Sequence, residues 1–272
     1  MKIGVRAHDF GRMSAKNLAN TVKNAGFDCV QLAFTKAIEG INHFNDITTK
    51  HLEEAAEAFN QADLEISVYG CYVEPSYTDT TNRLQQVGYF IDGIANAKRL
   101  GVPVIGTETT HFNINATTAE REVVYKLLKD SVLRMVEVAE KEDVIIGIEP
   151  VAEHTLNTPQ LTRRLLDEVG SDKLKIIFDP VNLVLPDTID QQATIFNEMF
   201  NLLGNDIVAM HIKDIVIENG EKVWRKIGDG VIDYNGLIIP WLKENKPDMR
   251  LLREGVMLDS YSDDKKSMQV WL

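Results

Sequence analysis

Cysteine is scarce in this chain. Of 272 residues only Cys29 and Cys71 carry a thiol, each inside or at the end of an apolar run. Two such thiols build no disulfide framework and fit a reducing compartment. Long apolar stretches are missing as well. No segment approaches the roughly 18 apolar residues of a membrane span. The first five residues form a short apolar run that gives way to charge, which does not read as a secretory leader. A membrane partner is therefore not expected, and a cytoplasmic location is. Positive charge is in deficit: 29 Lys and Arg stand against 41 Asp and Glu, a formal net charge of −12. A field of that sign repels phosphate backbones, so nucleic acid is excluded as a partner. The same field suits a small ligand, or a cation held among carboxylates. There is no glycine-rich phosphate loop after the first apolar run, and no linker or low-complexity tract.

What is present alternates regularly. Runs dominated by Val, Ile, Leu and Phe occur at 2–7, 29–33, 65–71, 102–107, 144–149, 175–179, 207–213 and 250–254. Continuous apolar runs of this length read as strands covered on both faces. Amphipathic helical patterns separate them, at 14–25, 48–62, 80–100, 118–141, 158–169, 190–203 and 235–244. Ser14 and Thr158 sit at cap positions, and Gly26, Gly101 and Gly170 sit where a helix closes. Residues 261–272 form a polar segment read as a short or truncated eighth helix. Eight β/α units in one chain of this length predict a single-domain (β/α)8 TIM barrel over residues 1–272. A doubly wound open sheet rarely uses eight regular units. Within 215–226, Asn219-Gly220 between β-formers predicts a hairpin at the mouth of the barrel.

Barrel active sites form at the C-terminal ends of the strands. Strand five ends at Glu149, strand six at Asp179, strand seven carries His211, and strand eight ends at Glu254. A carboxylate at the end of an apolar strand is costly unless something compensates it. Three converging on one mouth call for a cation. One imidazole and three carboxylates suit one divalent metal ion, Mn²⁺, Mg²⁺, Co²⁺ or Zn²⁺. Each residue alone has a plainer explanation: Asp179 before Pro180 caps a turn, and His211 is a buried, hydrogen-bonded histidine. Four consecutive strands ending this way favour the metal.

The chain also resembles the xylose isomerase-like barrel superfamily, in its sugar phosphate isomerase/epimerase branch. The resemblance spans nearly the whole chain. It rests on Ile148-Glu149-Pro150, Phe178-Asp179-Pro180-Val181-Asn182, His211-Ile212-Lys213-Asp214, the segment from Gly228 to Tyr234, and Arg253-Glu254-Gly255. It implies that Glu149, Asp179, His211 and Glu254 bind a catalytic metal. It also implies that Glu149 and Glu254 are the acid/base pair that moves a proton beside a carbonyl. DNA-repair endonucleases of the superfamily use three zinc ions and more histidines; their Asp-x-x-His reads Asp179-Pro180-Val181-Asn182 here, and their Asp-x-His aligns with Lys222-Val223-Trp224. The expected activity is a metal-dependent sugar isomerase or epimerase acting on a small sugar, sugar phosphate or polyol. Dehydration of a keto-inositol by the same metal chemistry is the alternative, and a sugar-binding barrel without activity is a third reading. A homo-oligomer is left open.

Secondary substrate-binding candidates follow from position. Lys213 shares a face with His211 by strand alternation; its plainer reading is a salt bridge to a strand-end carboxylate. His154 lies five residues past Glu149, Glu108 ends strand four, and His8 follows strand one. A solvated rim position is the plain expectation for Glu108 and His8. Arg253 alternates away from Glu254 and is expected to face the helices. Trp224, on the predicted hairpin, is expected to pack on the rim.

Overall fold

A computed structural model of the chain describes residues 1–256 and 260–272. The strands are β1 (Lys2–Arg6), β2 (Cys29–Leu32), β3 (Glu65–Gly70), β4 (Val104–Glu108), β5 (Ile145–Glu149), β6 (Leu174–Phe178), β7 (Ile207–Ile212), β8 (Asp214–Glu218), β9 (Glu221–Arg225) and β10 (Arg250–Arg253). Eight of them close a parallel barrel in the order β1-β10-β7-β6-β5-β4-β3-β2, while β8 and β9 pair antiparallel as a separate ribbon. The fold is a single-domain (β/α)8 TIM barrel. The helices are α1 (Ala15–Asn24), α2 (Phe34–Ala37), α3 (Thr49–Gln61), α4 (Thr80–Leu100), α5 (Thr118–Glu142), α6 (Pro159–Val169), α7 (Pro180–Leu183), α8 (Gln192–Leu203), α9 (Ile239–Asn245) and α10 (Tyr261–Gln269). Among the described residues no helix is long and apolar enough to cross a membrane.

Local chemistry accounts for the element ends. The Ser14 and Thr158 side chains accept from Asn17 N and Leu161 N, each satisfying a backbone donor that the first turn leaves open. Gly101 and Gly170 close α4 and α6 at φ 72° and 66°, a left-handed conformation that a side chain would strain. Asn219 and Gly220 both take positive φ, 53° and 79°, so the β8–β9 ribbon turns through two residues whose twist matches its strands. Two one-turn helices, α2 and α7, were not anticipated. The chain also leaves β1 one residue early, entering a 3-10 turn over Ala7–Phe10. The segment 255–260 after Glu254 includes residues 257–259, which lie outside the described residues.

A layer of small and branched side chains fills the barrel: Cys29, Val68, Val104, Ile177, Ala209 and Leu252, all buried. Gly106 and Gly147 are part of the same layer. A Cβ at either would lie 2.7 Å or 2.8 Å from Ile177, so their hydrogens give Ile177 its space. Side chains alternate along a strand, and the next inward residue toward the mouth is two positions on. From Leu252 that residue is Glu254, from Ala209 His211, from Ile177 Asp179, from Gly147 Glu149, from Gly106 Glu108, from Cys29 Gln31 and from Gly4 Arg6. One polar ring therefore sits directly above one apolar layer. Arg253, one position out of phase, faces outward as expected, where its buried guanidinium pairs with Asp264 of α10 at 2.8 Å.

Candidate active site

The polar ring closes around one imidazole. His211 Nδ1 lies 3.0 Å from Glu149 Oε2, 3.4 Å from Glu254 Oε2 and 3.9 Å from Asp179 Oδ2. All four residues are at most 9% exposed. The other ring nitrogen is already used: Nε2 meets Gln31 Oε1 at 2.8 Å. Gln31 is oriented in turn, because its Nε2 donates to the Tyr72 hydroxyl at 2.6 Å. Its oxygen must therefore face His211 and accept, which puts a proton on His211 Nε2 and turns the Nδ1 lone pair toward the carboxylates. Asp179 is shared in the same way. Its Oδ1 caps α7, accepting from Val181 N and Asn182 N at 2.9 Å and 3.1 Å, and Oδ2 is left for the mouth. Glu149 Oε1 accepts from Asn182 Nδ2 at 2.6 Å. His211 Nδ1 and Asp179 Oδ2 are buried without a hydrogen bond of good geometry.

Those two atoms, which meet charged neighbours but no hydrogen bond of good geometry, test whether a metal fits. Glu149, Asp179 and His211 each offer a ligand atom, and the three atoms lie within 4.8 Å of one another. Nitrogen and carboxylate oxygen with no sulfur is the donor set of Mg²⁺, Mn²⁺, Co²⁺ or Zn²⁺. The fit is good for these three. Glu254 stands differently: its Oε1 takes Arg6 at 2.9 Å and Lys213 at 3.0 Å, and only Oε2 points at His211. Lys213 also reaches Asp179 Oδ2 at 2.8 Å.

The charges respond to this crowding. Burial alone would keep His211 neutral, but Glu149, Glu254 and Asp179 outweigh it and raise its pKa to about 9. Burial, with Glu149 and Glu254 nearby, lifts Asp179 to about 6 despite Lys213. Glu254 goes the other way. Burial would raise it, yet Lys213, His211 and Arg6 hold it down at about 2. The site demands positive charge at Nδ1, in the form of a proton or an ion.

A family model described as "Xylose isomerase-like TIM barrel" matches residues 19–239. The chain belongs to this family. Among curated proteins none matches it by sequence. Solved structures superpose over its full length. A D-tagatose 3-epimerase-like protein gives a TM-score of 0.80 at 19% identity, covering 100% of this chain and 97% of that one. The 3-keto-D-glucoside 4-epimerase YcjR of E. coli gives 0.79 at 17% identity, covering 99% of each. A xylose isomerase-like TIM barrel protein from Mycobacterium smegmatis, in complex with magnesium, gives 0.72 at 16% identity, covering 99% and 95%.

Around the ring, this xylose isomerase-like barrel carries the remaining predicted residues. Glu108 is the register partner of Glu149 on the adjacent strand. Burial, then Glu149 and Glu254, raise its pKa to about 7. His154 Nε2 stands 3.9 Å from Glu108 Oε2, and burial lowers the His154 pKa. His8 is half-buried, with burial and Arg6 lowering its pKa to about 3, so it works as a neutral ring. Glu108 and His8 are both partly exposed at the mouth, as a rim position expects, the Glu108 side chain at 35%. Lys213 does form the salt bridges that were its plainer reading. Trp224 is half exposed and packs on the rim, where a Cβ at Gly255 would lie 3.2 Å from its ring, and the ring centre is 5.3 Å from Lys213 Nζ. Four residues escaped the sequence reading: Arg6, Gln31, Tyr72 and Asn182. Extending the two-residue alternation to strands one and two would have found Arg6 and Gln31.

Asp214 fixes the neighbouring loop. Its carboxylate accepts from the backbone of Ile215, Gly228, Gly230 and Ile232. A Cβ at Gly230 would sit 2.0 Å from Oδ1. The glycine-containing motif after the hairpin is thus a wrapping for the residue next to Lys213.

Proposed function

We propose that this barrel moves a proton at the carbon beside the carbonyl of a small sugar, sugar phosphate or polyol, as an isomerase or epimerase. One divalent ion would be held by Glu149, Asp179, His211 and Glu254. The observation that carries the reading is the convergence of three buried carboxylates on a single imidazole nitrogen, His211 Nδ1. Support comes from the family and from structural neighbours that include a D-tagatose 3-epimerase-like protein and a 3-keto-D-glucoside 4-epimerase. When bound, the ion supplies Lewis-acid polarisation of a carbonyl and its neighbouring hydroxyl.

The protein's own groups divide the remaining work. Glu149, oriented by the Asn182 amide, is the base that removes the α proton. Lys213 and Arg6 draw down the basicity of Glu254, so the first abstraction belongs to Glu149. Glu254 follows β10, three strands along from β5 with β6 and β7 between, and addresses the substrate from the other side to return a proton. Lys213 offsets the negative charge that builds on the substrate oxygen as the proton leaves. Glu108, His154 and His8 bind hydroxyls, and at about 7 the Glu108 carboxyl can donate or accept.

The test is incubation of the metal-loaded protein with a panel of free and phosphorylated ketoses in D2O, read by NMR. Deuterium at the carbon beside the carbonyl, without loss of water, is expected. An unsaturated product would make the protein a dehydratase instead. Glu149→Gln should slow exchange by about a thousandfold, the usual worth of a positioned base. A variant that kept the wild-type rate would remove Glu149 from the role.

A further inference from the structure

Lys213 stands at a corner of the chain. The barrel strand β7 ends at Ile212 and the ribbon strand β8 begins at Asp214, so Lys213 is the single residue between them. The register of β7 with β10 stops where Ile212 faces Arg253, and that of β8 with β9 starts where Asp214 faces Arg225. Position 213 lies outside both ladders, yet the residue is only 3% exposed. Its main-chain N–H and C=O are buried groups that need partners. One side-chain atom serves both. The Tyr234 hydroxyl accepts from Lys213 N at 3.1 Å and donates to Lys213 O at 2.6 Å.

Tyr234 is itself well held. It opens a π-helical turn over Tyr234–Ile238. The Trp271 ring lies 5.1 Å from its ring, and Trp271 Nε1 donates to Asn235 Oδ1 at 2.9 Å. Burial, then Asp179 and Asp214, raise the Tyr234 pKa, so the hydroxyl keeps the proton it donates. A buried tyrosine needs one partner for its hydroxyl. This one spends two hydrogen bonds on the main chain of one residue. The loop just before it wraps the Asp214 carboxylate, so one stretch of chain fixes positions 213 and 214 together. What the corner governs is the direction of a long side chain. Lys213 Nζ reaches Asp179 Oδ2 at 2.8 Å and Glu254 Oε1 at 3.0 Å.

We propose that Tyr234 is a positioning residue, whose hydroxyl fixes the backbone corner at Lys213 and so aims the Lys213 ammonium across the mouth. Its part in the reaction rests on the proton-transfer reading, and its hold on Lys213 does not. Bulk water is a poor substitute for the hydroxyl, because Tyr234 and Lys213 are each 3% exposed. The aim matters because a donor stabilises a transition state only when it points where charge develops.

Acetylation of the folded, metal-loaded protein, read by mass spectrometry, reports the aim without any substrate. In Tyr234→Phe, Lys213 should acetylate about tenfold faster than in wild type, the worth of one charge-assisted hydrogen bond. Lys175, which pairs with Asp206 at the opposite end of the barrel, should keep its rate. Trp271→Phe removes the indole donor behind Tyr234 and should give a smaller rise at Lys213. It decides the matter if Tyr234→Phe does not fold. Tyr125→Phe deletes another buried tyrosine hydroxyl, the one that donates to Glu168, and should leave Lys213 unchanged. No rise at Lys213 in either folded variant overturns the proposal. So does an equal rise in Tyr125→Phe or at Lys175. In the exchange reaction Tyr234→Phe should lower kcat about a hundredfold, the cost of a group misplaced by about 1 Å, with KM within about threefold. A loss carried by KM alone would remove Tyr234 from the reaction. Wild-type protein that exchanges no deuterium sinks the proton-transfer reading and leaves the acetylation rates to judge the corner.

Discussion

Replacing Gln31 with leucine tests the wiring behind the imidazole. The substitution nearly conserves volume and removes an amide that is 1% exposed. Two hydrogen bonds go with it, the 2.8 Å bond to His211 Nε2 and the 2.6 Å bond to the Tyr72 hydroxyl. A buried ring N–H without an acceptor costs about 1–3 kcal/mol, so the variant should lose that much stability to urea. The larger consequence concerns metal. Gln31 Oε1 is what keeps the proton on Nε2 and the lone pair on Nδ1. Without it the ring is free to adopt the other tautomer or to turn. Removing such an outer partner typically weakens metal binding by about 10–100-fold, which corresponds to about 1.4–2.8 kcal/mol. Calorimetric titration of the metal-stripped protein with Mn²⁺, wild type against Gln31→Leu, measures it directly. A Kd within threefold of wild type, in a variant that folds, would show that the amide does not set the tautomer.

Two further outcomes are expected. The raised His211 pKa means that its contribution to the stability of the metal-free protein is complete below the ordinary histidine value of 6.5 and is lost as pH rises through about 9. The urea stability gap between metal-free wild type and His211→Gln should therefore shrink from pH 7 to pH 10, and a gap that stays constant would contradict a proton held at that site. Asp264→Ala should cost about 3–5 kcal/mol in urea unfolding, because it strands the buried Arg253 guanidinium. A loss under about 1 kcal/mol would mean the pair is dispensable.

The barrel was legible because strands covered on both faces leave little choice of residue, and eight such runs with intervening helices admit few arrangements. The strand-end quartet was legible for the same reason, since a charge closing an apolar run stands out. The plainer readings of Asp179 and His211 also proved true. Each side chain has two polar atoms, so Asp179 caps α7 with one oxygen and offers the other, and His211 bonds Gln31 with one nitrogen and offers the other. Asn182 was not legible. It reaches Glu149 only because Asp179 caps a single helical turn, and four residues are too few for periodicity to register. Tyr72 lies past the end of β3, where alternation along the strand no longer guides the eye.

Asp9 joins the two ends of the chain: its Oδ2 accepts from Gly255 N and Val256 N while Oδ1 holds Arg6, which in turn grips Glu254. The residues that meet at this seam are separated by 246 positions or more. Chemical competence therefore cannot accrue piecemeal as the polypeptide emerges from synthesis. A fragment ending before β10 would own an imidazole and two acids yet lack the partner that completes them, so it should chelate weakly and turn over nothing. Supplying the missing C-terminal piece in trans is the natural way to watch the last staple engage.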